Sequence, residues 1–91
     1  MEYLQEADMS TPQSRAQAFG DAAEAARRDG RKKRDQAERV RASAGVMEEK
    51  GLHPAAARLR REAVALDDTA EVREGMARQF QEAVDRELAT A

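Results

Sequence analysis

The chain has 91 residues and a mass of 10.1 kDa, with 41% hydrophobic and 37% charged residues, 3% aromatics and a mean hydropathy of -0.87. That composition suits one small helical domain and excludes a long apolar membrane span. A net charge of -2 and a pI of about 5.5 argue against a generic polyanion binder, and the absence of cysteine removes disulfides and thiolate zinc sites.

The first residues, MEYLQEADM, are acidic and lack an apolar core segment. They read as a tail (residues 1–11) rather than a secretory signal, so the cytoplasm is the expected address. Residues 12–91 read as a single helical domain. Thr11 and Pro12 have the form of a helix cap and first helical position. Ala16, Phe19, Ala23 and Ala26 then recur at three- and four-residue steps, and the register runs on through Gly30 and Lys33 to Ala37 and Val40. Two readings stand: one helix from about Pro12 to Lys50, or a weakly held helix over 12–30 and a second over 31–50, parted near Asp29-Gly30. Glycine costs a helix interior about 1 kcal/mol relative to alanine, and Lys33 places a charge in the seam.

Ala37, Val40, Ala44 and Met47 lie on one helical face, with Glu38, Arg39, Arg41 and Glu48 pointing elsewhere. Gly51 supplies the permissive backbone that ends a helix, and Pro54 is pre-set for the first turn of the next. Ala56, Leu59, Ala63 and Leu66 repeat the spacing over 54–67. Two apolar stripes joined by so short a turn predict an antiparallel hairpin, whose alanines let the axes approach closely. Asp68 followed by Glu71 has the form of a capping box, which predicts a fresh helix over 69–88. There, Val72, Met76, Phe80, Val84 and Leu88 come every fourth residue, a drifting stripe with Phe80 as its central plug. The expected fold is therefore all-α, a small bundle of three or four helices with a central antiparallel helical hairpin.

Within residues 37–67, Ala44, Gly51, Ala56, Ala63 and Leu66-Asp67 fall in an order that resembles a single tetratricopeptide repeat, with Val40, Ser43 and Asp68 departing from the usual aromatic, leucine and proline. The resemblance implies a protein-binding groove faced by Glu38, Arg41, Gly45, Glu48 and Glu49. Of the basic and amide cluster with which some such repeats hold a peptide carboxylate, it leaves only Arg41. Repeat units also need neighbours to cover them, from the flanking helices or from another chain.

Charge is unevenly spread: residues 1–26 carry -4, residues 27–41 carry +5 and the remainder -3. Arg27, Arg28, Arg31, Lys32, Lys33 and Arg34 could neutralise phosphates, which makes nucleic acid the competing partner. Against it, Glu24, Asp35 and Glu38 fall at four-residue spacing from bases, and no asparagine is present to read adenine. His53 is the only histidine and is expected to help cap the helix after the turn. The pairs Glu48-Glu49, Asp67-Asp68 and Glu71-Glu74 sit on polar faces or helix ends, and no phosphate loop or nucleophile motif appears. The sequence thus predicts a non-enzymatic, self-associating protein-interaction module without cofactor, metal or membrane partner, contacting another chain through exposed helix faces at Glu38, Arg41, Glu48, Glu49, Met76 and Phe80.

Overall fold

The computed structural model describes residues 11–91; the expected tail lies outside them except for Thr11. Two long helices pack as a hairpin: α1 (Pro12–Glu49) and α2 (His53–Ala89). Among the described residues there is no strand.

Helix α1 opens as anticipated. The Thr11 hydroxyl oxygen accepts the Ser14 amide at 3.0 Å, while the Thr11 carbonyl accepts from the Arg15 amide at 3.0 Å. The first contact satisfies an amide that the first turn leaves unpaired, the second is the first bond of the helix itself, and Pro12 has no amide hydrogen to satisfy. At the other end, Gly51 adopts a φ of 77°, which L-residues resist. The Leu52 amide donates to the Met47 carbonyl (2.9 Å) and the Gly51 amide to that of Glu48 (3.0 Å). That double bond pattern is the glycine-terminated stop of a helix. Helix α2 restarts at once, with the Ala56 amide donating to the Leu52 carbonyl (3.0 Å).

The three or four helices expected from the sequence are two. Helix α1 runs through Asp29-Gly30 without a break, and α2 runs through Asp67 and Asp68. Asp68 is therefore an interior residue rather than a cap, and the Thr69 hydroxyl donates to the Ala65 carbonyl one turn back at 3.1 Å. The reason is a seven-residue repeat of small residues that runs unbroken through both places. Setting Ala44 and Ala56 at position a of a heptad, the a row is Ala16, Ala23, Gly30, Ala37 and Ala44 on α1, and Ala56, Ala63, Ala70 and Ala77 on α2, all buried. Breaking α2 at Asp68 would take Ala70 and Ala77 out of register with Ala56 and Ala63. The drifting stripe gives way for the same reason: Val72 and Leu88 are 62% and 54% exposed.

The helices contribute to two compact units, Arg28–Arg73 around the turn and residues 11–27 with Glu74–Ala91. In the first, Gly30, Ala37 and Ala44 line the seam with Ala56, Ala63 and Ala70. In the second, Ala16, Ala23 and Ala26 are buried along with Ala77 and Ala83. No large side chain is fully buried in either. An alanine seam lets helix axes come to the short end of the usual range of about 8–10 Å, leaving no room between them for a leucine or an aromatic ring. Phe80 is accordingly not a buried plug. It is half-buried and stacks on Phe19, ring centroids 6.4 Å apart and planes inclined by 27°.

Candidate functional site

In an antiparallel pair of helices with position a at the centre, the d and g positions of both face one side and the e positions of both face the other. The unit around the turn follows this rule. Its e side is closed by ions. Asp67 lies 3.3 Å from Arg34 and is also bonded by Arg41, and Glu48 sits 3.4 Å from Arg60. The Glu48 carboxylate further accepts from His53 Nδ1 at 3.1 Å, so His53 ties the two sides of the turn together instead of capping α2.

These contacts move the carboxyls. Hydrogen bonding from Arg41, followed by the charges of Arg41 and Arg34, holds Asp67 below its ordinary value of 3.8, although partial desolvation works against it. The His53 hydrogen bond leads the same effect on Glu48, lowered from 4.5. A depressed carboxyl adds stability that is fully present above its unfolded pKa and is lost as pH falls through the folded one. The contribution of these two carboxyls should therefore be constant from neutrality down to about pH 5 and be lost progressively below their two ordinary values. Asp67→Asn should weaken the protein at neutral pH and flatten that acid limb, measured as urea midpoint against pH; an unchanged limb would show that Asp67 takes no part in it.

The d/g side differs. Val40, Leu59 and Leu66, all at d, are only half-buried and floor an open groove of about 270 Å³ between α1 and α2. Gln36, Ser43 and Arg39 stand along it on α1, and Glu62 on α2. Asp29 and Arg73 meet at 2.8 Å farther from the turn. In the other unit, Phe19 and Phe80 share this heptad side, and Arg15 lies 3.1 Å from Glu87.

The residues singled out from sequence are not gathered into one site. Arg41 and Glu48 are engaged in the e-side ion pairs, and Glu38 and Glu49 are exposed at outer positions b and f. Met76 and Phe80, half-buried at g and d, belong to the second unit. The basic block winds around α1 rather than forming a patch: Arg27 and Arg34 at e, Arg28 at f, Arg31 at b, Lys32 at c and Lys33 at d. Arg34 reaches Asp67, and the recess that holds Lys32, Lys33 and Arg39 also holds Asp29 and Asp35. From sequence, Arg39 reads only as a residue pointing away from the seam and Asp67 only as half of an acidic pair, and Glu62 draws no attention. A helical wheel on one continuous seven-residue register would have placed all three.

In the unit around the turn, fold and surface together define an alanine-seamed antiparallel helical hairpin whose e side is ion-paired and whose d/g side carries an apolar-floored groove beside the Asp29–Arg73 pair. Comparison with protein-family models, curated proteins and solved structures finds no match to this chain. No described helix is long and apolar enough to cross a membrane, and no group of three or more described acidic or histidine side chains is placed to hold a metal ion.

Proposed function

We propose that the chain is a non-enzymatic protein-interaction module that binds through its apolar helix faces, its own copies included. The observation that carries this reading is where the large side chains sit. Among the described residues ten alanines make up the buried apolar core, while Phe19, Val40, Met47, Leu59, Leu66 and Phe80 are all left part-exposed along the d positions. An alanine contributes little on burial, whereas each large apolar side chain is worth about 1.5–3 kcal/mol once fully removed from water. Association is the step that collects this remainder. The ion pairs on the e side orient the hairpin but, being exposed, add little to affinity.

Light scattering of the purified chain over a concentration series tests the reading. The mass should rise above 10.1 kDa as concentration increases and should not change on adding duplex DNA at moderate salt. A mass fixed at one chain throughout would refute self-association, and a large DNA-dependent rise would favour the basic block as the working surface.

A further inference from the structure

The groove floored by Val40, Leu59 and Leu66 carries two charges on its rims, and they are opposite in sign and on opposite helices: Arg39 on α1 and Glu62 on α2. Their levels match. Counting from the Asp29–Arg73 pair on the same side, ten residues forward along α1 reaches Arg39 and eleven back along α2 reaches Glu62, so the two stand level to within about one residue, and both line the same groove. A surface whose two rims bear opposite charges at one level is complementary to itself under a two-fold rotation that exchanges the helices.

From this we infer that the occupant of the groove is a second copy of the same chain, docked groove to groove about a two-fold axis running parallel to the helices. The inference rests on the self-associating reading above and specifies its interface. Helix α1 lies against the partner's α2, so Arg39 meets the partner's Glu62 and Glu62 meets the partner's Arg39, one ion pair on each rim. Val40, Leu59 and Leu66 of both copies close over one another between the rims. The remaining rim residues, Gln36 and Ser43, are uncharged and oppose nothing. The other face-to-face arrangement has its axis across the helices, stacks α1 on α1, and sets Arg39 against the partner's Arg39. Like charges at two close points disfavour it. The favoured arrangement puts both turns at the same end.

Charge exchange tests the pairing. Arg39→Glu and Glu62→Arg should each replace two attractive contacts by two repulsive ones and weaken the dimer at least about tenfold by sedimentation equilibrium at low salt, while the double exchange restores it. Far-UV circular dichroism should show unchanged helix content, since both side chains are exposed. As the chain has no cysteine, Lys50→Cys supplies a single thiol at the turn, and a short bismaleimide should then link two copies at micromolar concentration. Self-association that ignores both single reversals, or that is weakened by them without rescue, would overturn this interface while leaving the broader reading intact. Failure of the Lys50→Cys turns to cross-link in a dimer would overturn the orientation. A chain monomeric at every concentration would overturn both.

Discussion

Thr69→Pro should be the most damaging single substitution, removing a large share of the protein's stability. Residue 69 lies in the interior of α2, sixteen residues past its start at His53. Proline there removes an amide that the helix uses and drives its ring into the carbonyl of Ala65, at a cost of about 3 kcal/mol or more. A domain of this size holds only roughly 5–14 kcal/mol in total. The loss should appear as a large fall in the urea midpoint followed by circular dichroism. The contrast is sharp because the sequence, read locally, suggests a helix beginning at Thr69 behind an Asp68 cap, and the first position of a helix accepts proline readily. A variant as stable as its parent would show that two helices meet there.

Ala37→Leu should be the second most damaging change. Ala37 has no exposed surface, and its row sets the approach of α1 to α2. Three further carbon atoms at that point must either push the helices apart, opening the alanine contacts above and below, or adopt a strained rotamer; overpacking of this kind costs about 1–3 kcal/mol. The same substitution at exposed Ala65, in the same unit, should stay within about 0.5 kcal/mol. Equal effects at the two positions would mean that the seam is looser than its burial indicates.

Much of this hairpin is written locally. Thr11 and Pro12 announce the first helix, Gly51 its end, and the stripes around Ala44 and Ala63 their mutual face. What misled was also local. Asp68 and Glu71 imitate a cap, and Arg73 interrupts the apolar d row where a leucine would have advertised continuity. An arginine can occupy such a half-buried place because its stem is apolar and its head finds Asp29. The every-fourth-residue row from Val72 to Leu88 was the more visible pattern, yet it lost to smaller residues, since burial follows the register already fixed by Ala56 and Ala63. The site was harder to see than the fold. Val40, Leu59 and Leu66 look like core in the sequence, and only the close approach of alanines at a pushes them to a groove. The contacts of Asp67 with Arg34 and Arg41 depend on the alignment of two helices, which no single segment encodes.

The claim on which the account turns is that an alanine seam leaves the larger apolar side chains to be covered by another copy. Urea unfolding followed at several protein concentrations tests it most directly, because a folded state held together by association is stabilised by mass action and a lone hairpin is not. The midpoint should rise steadily as concentration is increased from the low micromolar to the high micromolar range. A midpoint that stays fixed over that range would contradict the account.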